Sequence, residues 1–139
     1  MYYIDVILPI PLQKLFTYSI TEAEASFLKV GARVAVPFGK SKIYTALVHN
    51  IHNNKPLVYD AKDIHQILDE EPLVNEYQLH LWSWISKYYM CTLGDTMRAA
   101  LPSAFLLESE TIIRKNDSKI INDTDLKDDE FLVYEALHH

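Results

Sequence analysis

Val30-Gly31-Ala32-Arg33-Val34-Ala35-Val36-Pro37-Phe38-Gly39-Lys40 starts at one turn, runs through alternating side chains and ends at another turn. Val30-Gly31 reads as the entry turn, Arg33 to Pro37 as a strand, and Gly39, flanked by Phe38 and Lys40, as the exit turn. Beyond it, Ile43 to Ile51 reads as a long strand. Ile43, Leu47 and Ile51 fall on one face, Tyr44, Ala46 and Val48 on the other. Apolar residues on both faces predict a central or barrel strand. Working back towards the start, Tyr2, Ile4, Val6 and Leu8 alternate with Tyr3, Asp5 and Ile7, the period of a strand. Pro9 and Pro11 then remove two ladder donors, so the chain leaves the sheet or runs along an edge. Phe16, Tyr18 and Ile20 alternate with Thr17 and Ser19, a further strand with its polar face outward. Residues 21 to 28 form a short helical turn or a loop. Past the long strand, His52 to Pro56 is loop, and Ile64 to Leu68 is a shorter strand.

The period changes after residue 74. Tyr77, Leu81, Ile85 and Tyr88 form one helical stripe, read as packing, with Trp82, Trp84 and Tyr89 broadening the apolar surface. Asn75 with Gln78 three residues on makes a capping box. A second short helix follows Gly94, with Asp95 or Thr96 near its start, Met97, Ala100 and Leu101 facing inward, and Pro102 as its stop. Tyr88-Tyr89 are expected to seat this helix against the sheet. Strands followed by helices predict an α+β fold: a small, mostly antiparallel sheet or barrel with two packed helices, then a linker. The expected organisation is a domain over residues 1–106, an acidic linker with a possible extra strand over 107–128, and the start of a further, winged-helix domain over 129–139.

Apolar content of 49% and aromatic content of 12% fit a globular chain. The three glycines each read as backbone positions that need one. Cys91 is the single cysteine, so neither an internal disulfide nor a cysteine metal site is expected. The N-terminus lacks a basic region before its apolar stretch, which Asp5, Pro9 and Pro11 interrupt. No signal peptide or membrane span is expected, and a cytoplasmic location is the simplest reading. The net charge is −6, but its distribution is uneven. Residues 1–59 carry Lys14, Lys29, Arg33, Lys40, Lys42 and Lys55 against Asp5, Glu22 and Glu24. Residues 60–105 carry seven acids against Lys62, Lys87 and Arg98, and residues 106–139 nine acids against four bases. A positive first segment in an acidic chain is the footprint of a local nucleic-acid contact.

Gly39-Lys40-Ser41 has the close of a phosphate-binding loop, but Val34 stands where that motif needs its first glycine, and a strand comes next where it needs a helix. His49 and His52, three apart on a strand, are expected to point to opposite faces, and His65, His80 and Cys91 have no ligand spacing. No acid, base and nucleophile converge. Neither a metal site nor a catalytic set is expected in these residues.

Leu8-Pro9-Ile10-Pro11-Leu12, Phe16-Thr17-Tyr18, the Val36-Pro37-Phe38-Gly39-Lys40 turn, Lys87-Tyr88-Tyr89, Gly94-Asp95 and Ala100-Leu101-Pro102 occur in this order. Together they resemble the N-terminal DNA-binding domain of the PriA (primosomal protein N′) family of bacterial replication-restart helicases, over residues 1 to 106. The resemblance implies capture of the 3′-terminal nucleotide of the nascent leading strand at a stalled fork. It puts Phe16, Thr17, Gly39 and Lys62 in the end pocket. Phe16 would stack on the terminal base or shape the wall, Gly39 would let backbone approach the sugar, and Lys62 would meet a phosphate as a flexible point charge. Lys14, Arg33, Lys40, Lys42 and Tyr44 are candidate contacts to the DNA backbone. Position 17 departs from the family, which usually has aspartate there. Tyr44 and Ala46 replace its frequent arginine and glycine, and Tyr44 is either a stacking residue or core. The resemblance further implies a parent ATP-dependent 3′–5′ helicase with ATP, Mg and structural zinc in other domains, none of them expected in these residues. The implied partners are forked DNA with a free 3′-OH, and, through the parent, primosome proteins and single-strand-binding protein. The rival readings are a protein-docking module of the primosome and an RNA-binding barrel.

Overall fold

The computed structural model describes residues 1–109 and 127–136. Its first segment builds five strands: β1 (Tyr2–Ile7), β2 (Phe16–Ile20), β3 (Arg33–Phe38), β4 (Lys42–His52) and β5 (Gln66–Ile67). Their order in the sheet is β2-β1-β4-β3-β5, all neighbours antiparallel. The long strand is central, as its two-faced apolar pattern predicted. A short helix α1 (Glu22–Phe27) succeeds β2, started by a Thr21–Glu24 capping box. Helices α2 (Glu76–Tyr89) and α3 (Leu93–Ala100) come after the sheet, then a 3₁₀ turn over Ser103–Phe105. The fold is the predicted α+β arrangement, with the sheet curled into a half-barrel.

The curl divides the apolar side chains into two cores. Ile4, Val6, Tyr18, Ile20, Val34, Val36, Ala46 and Val48 fill the inside of the curl. Ile7, Leu47, Val74, Leu79, Trp82 and Met97 join the outside of the sheet to the helices. Fully burying one such side chain contributes roughly 1.5–3 kcal/mol, and the buried side chains leave the inside of the curl a packed core.

Residues 59–68 close the curl. Ser19 N–H donates to Lys62 O at 2.9 Å and Ile64 N–H to Ser19 O at 3.4 Å, while His65 N–H reaches Ala35 O at 2.8 Å. The chain thus crosses from the edge of β2 to the edge of β3. This corrects the expectation of an outward polar face on β2. Ser19 is only 4% exposed, because its hydroxyl donates to Asp63 and lies against Ala61 O. Of the strand expected over Ile64 to Leu68, only Gln66–Ile67 forms.

Expectations on β4, α2 and α3 change as well. Asp5 pairs with Asn50 and Val6 with Val48, so one step on β1 spans two on β4. This bulge at His49 reverses the facing of the residues beyond it on β4. Ile51 joins Ile4 in the inner core instead of sharing Leu47's face. His52 pairs with Tyr3 and contacts Asp5, while His49 faces Val30, Leu79 and His80, so the two histidines lie on the same side of the sheet. On α2 the buried residues are Leu79 and Trp82. Tyr77, Leu81 and Tyr88, read as packing, are 85%, 52% and 67% exposed. The helix has two apolar faces, and the sheet covers the other one. On α3, capped by a Thr92–Asp95 box, Gly94, Thr96 and Met97 are buried and Ala100 is exposed. What seats α3 is not Tyr88-Tyr89 but Gly94 itself: a Cβ there would run into the carbonyls of Leu8 and Ile10.

Residues 107–109 cover the free edge of β4, with Thr45 N–H donating to Leu107 O at 3.1 Å and Ser109 N–H to Ile43 O at 2.9 Å. The rest of the stretch expected as linker and extra strand, residues 110–126, lies outside the described residues. The chain divides into two units, Met1–Ser109 and Glu110–His139. In the second, α4 (Asp128–Ala136) covers most of the stretch read as the start of a further domain. Among the described residues no helix is long and apolar enough to cross a membrane.

Candidate nucleic-acid interface

One cavity of about 280 Å³ opens at the rim where β2, the β3–β4 turn and the closing segment meet. Phe16, Thr17, Gly39 and Lys62, from three separate stretches of chain, all line it. Each is positioned by local structure. Phe16 opens β2, its ring edge-on to Phe38 at 5.1 Å. Phe38 meets Tyr44 in the same way at 6.0 Å. Lys14 lies 5.2 Å from the Phe16 ring and Lys42 5.9 Å from the Tyr44 ring. The result is a row of three aromatic rings with an ammonium at each end, every contact within cation–π or edge-to-face range.

Gly39 has φ +69°, and a Cβ built on it would meet nothing within 4 Å. The turn needs glycine for its backbone, and the space beside it is open to a ligand. Lys62 Nζ donates to Gly39 O at 3.3 Å across the cavity. Beneath the turn, Tyr18 OH donates to Pro37 O at 2.9 Å. Burial, and secondarily Tyr59, push this phenol up to about 12, so Tyr18 is a fixed neutral donor holding the cavity floor.

Thr17 is engaged twice. Its amide donates to the Tyr59 hydroxyl at 3.0 Å, and its own hydroxyl donates to Asp5 Oδ1 at 2.7 Å. Asp5 is its direct cross-strand neighbour and also contacts His52 Nε2 at 3.2 Å. Asp5 thus anchors Thr17 from the neighbouring strand β1 and is not itself among the residues that line the cavity. Sequence reasoning missed Tyr59 and Asp60, which form the outer wall. The one signal for Tyr59 is its place at the end of the apolar run Leu57-Val58-Tyr59, three positions before Lys62. Asp60, an acid beside the cavity, contacts Lys55 at 3.2 Å.

The candidate backbone contacts divide. Lys14, Lys40, Lys42 and Lys62 are exposed and, among the described residues, have no carboxylate partner. Arg33 is elsewhere and fully occupied. Its Nη2 and Nε hold Asp69 at 2.7 and 2.9 Å, Nη1 donates to Phe105 O at 3.2 Å, and its plane covers the Phe105 ring at 4.9 Å. Tyr44 packs beside the inner core and lines a different cavity, with Pro9 and Arg98. Among the described residues no group of three His, Cys, Asp or Glu is placed to hold a metal ion.

An open cavity with aromatic walls, exposed backbone and unpaired ammonium groups is the equipment of a single-strand nucleic-acid-binding module. Residues 5–102 match the PriA 3′ DNA-binding domain (3′BD), and the chain belongs to that family. It is 30% identical over 105 residues to the replication restart protein PriA of Treponema pallidum, covering 73% of this chain and 16% of that protein. Against the PriA of Buchnera aphidicola from Acyrthosiphon pisum it is 31% identical over 114 residues, 82% of this chain and 15% of the relative. Against that of Haemophilus influenzae it is 34% identical over 121 residues, 86% and 15%. The chain thus spans about a sixth of the length of these relatives.

Proposed function

We propose that the chain captures the 3′-terminal nucleotide of a DNA strand, with a preference for a free 3′-OH, as presented by a nascent leading strand at a stalled fork. The observation that carries this reading is the convergence of Phe16, Thr17, Gly39 and Lys62 on one cavity. Phe16 offers a ring face or edge to the terminal base, a contact worth about 1–3 kcal/mol. The Gly39 turn approaches the sugar. Lys62, already reaching across to Gly39 O, swings to a phosphate. Thr17 contributes its backbone and methyl group, since its hydroxyl is committed to Asp5. Lys14, Lys40 and Lys42 supply non-specific phosphate contacts, and we leave Arg33 out of them. Preference for a free 3′-OH requires that Tyr59 and the Gly39 turn, which line the cavity, stop a strand from continuing past its 3′ carbon.

In this reading the chain is the DNA-end sensor of a replication-restart helicase. ATP, Mg and structural zinc belong to the parent's other domains. Primosome proteins and single-strand-binding protein act through the parent, in the cytoplasm. The test is fluorescence anisotropy with forked DNA whose leading-strand arm ends in 3′-OH or 3′-phosphate. The expected outcome is tighter binding to the 3′-OH fork, weakened severalfold by Lys62→Ala and decreasing with salt. Equal affinity for both ends removes end recognition.

A second reading, a primosome-docking module, is favoured by one observation: the exposed face of α2, where Trp84 stacks on Tyr88 at 5.0 Å and Tyr88 meets Tyr89 at 4.9 Å. Docking tolerates Lys40→Ala and Lys62→Ala, and end binding does not.

A further inference from the structure

A second cavity, of about 220 Å³, lies between the β1–β2 connection and the helices. Phe16 lines this cavity as well as the first, so one ring is a shared wall. Two lysines from distant segments face it. Lys14 comes from the connection and reaches over the Phe16 ring, and Lys87 comes from the last turn of α2. Neither has a carboxylate partner among the described residues. The cavity exists because Gly94 lets α3 press against the backbone of Leu8 and Ile10, which brings the end of α2 up to residues 12–16.

We propose that this cavity is the site for the nucleotides preceding the 3′ terminus, with Lys14 and Lys87 meeting the internucleotide phosphates as the strand passes over Phe16 towards α2. The inference rests on the end-binding reading. Two solvated ammonium groups facing an apolar floor match a phosphodiester with its sugar. Continuity through one aromatic ring matches the way a strand threads successive bases past stacking residues along a basic groove. Lys87, which no feature of the sequence singled out as a contact, becomes a strand-binding residue, and the footprint extends beyond the terminal nucleotide.

The test is competition by dTMP and by the trinucleotide dT3, each with a free 3′-OH, against a labelled oligonucleotide on the 139-residue chain and on Lys87→Ala and Lys87→Arg, with 3′-phosphorylated dT3 as a further competitor. The expected outcome is that dT3 outcompetes dTMP and that Lys87→Ala weakens dT3 severalfold without changing dTMP. The slope of log affinity against log salt for dT3 is expected to fall by about 0.7, one single-strand phosphate contact, with Lys87→Arg restoring it. Unchanged dT3 affinity in Lys87→Ala overturns the inference while leaving end binding intact, as does an equal loss for dT3 and dTMP. If wild-type chain binds 3′-phosphorylated dT3 as well as dT3, the end-binding reading fails and this inference fails with it.

Discussion

Thr17 and Asp5 face each other across two strands, and their hydroxyl–carboxylate bond fixes one corner of the cavity. Thr17→Asp, which installs the residue usual in the family, places two carboxylates directly opposite each other. Like charges in that position are destabilising, by about 0.2–1 kcal/mol, and the donor to Asp5 is lost as well. The variant is expected to melt lower at pH 7, and part of the loss to return with Asp5→Asn added; thermal unfolding of the two variants decides it. At this scale the sequence is only partly readable. Phe16 and Gly39 are legible as pocket candidates because they stand in motifs shared with the family, whereas Lys62 stands in none of them and enters only through what the resemblance implies. Tyr59 and Asp5 are not, since their relation to position 17 comes from cross-strand register and from a closing segment over forty residues away.

Capping boxes and strand alternation are local codes, and they carry the elements. Asn75 with Gln78 starts α2, as its spacing predicts. The covered face of α2 is not legible in the same way, because apolar periodicity reports amphipathicity and not which face is covered. Leu79 and Trp82 win against the Tyr77–Tyr88 stripe through contact with the sheet. The His49 bulge is hard to read as well: in Leu47-Val48-His49-Asn50-Ile51 two apolar residues precede two polar ones, and only pairing with β1 shows where the extra residue falls. At the end of α2, Met90 is held at φ 53°, the left-handed region where a side chain is strained, while its own chain is 87% exposed. Met90→Gly removes that strain without losing packing. It is expected to raise stability by about 1 kcal/mol, read as an increase in the urea midpoint at unchanged slope.

Arg33 bolts three parts of the molecule together: β3, the Asp69 end of the closing segment and the Phe105 turn. The pair is largely buried, with side chains 17% and 14% exposed. Breaking such a pair from one side costs about 3 kcal/mol, the expected loss for Asp69→Asn in urea unfolding at pH 7. The hydrogen bonds from Arg33 hold the Asp69 carboxyl below its ordinary range. A depressed carboxyl contributes stability that is full above the ordinary carboxylate pKa, about 4, and is lost as pH falls through the lower folded value. Wild-type chain is therefore expected to show an acid limb there that Asp69→Asn reduces. The half-barrel is legible in the strand pattern. This clasp is not, because Arg33 and Asp69 are ordinary surface types until the fold brings them together.

The closing segment also joins two properties of the molecule. It is the seam of the half-barrel, and its Tyr59 to Lys62 portion is the cavity's outer wall. The amides that lose their partners when the seam parts include those of Thr17 and Ser19, bonded to Tyr59 and Lys62 beside the cavity. Under the end-capture proposal, occupancy of the cavity is therefore linked to opening of this seam. If a strand end seats against that wall as proposed, deuterium uptake at these amides is expected to slow on adding an oligonucleotide with a free 3′-OH, a gauge of capture carried by the fold itself.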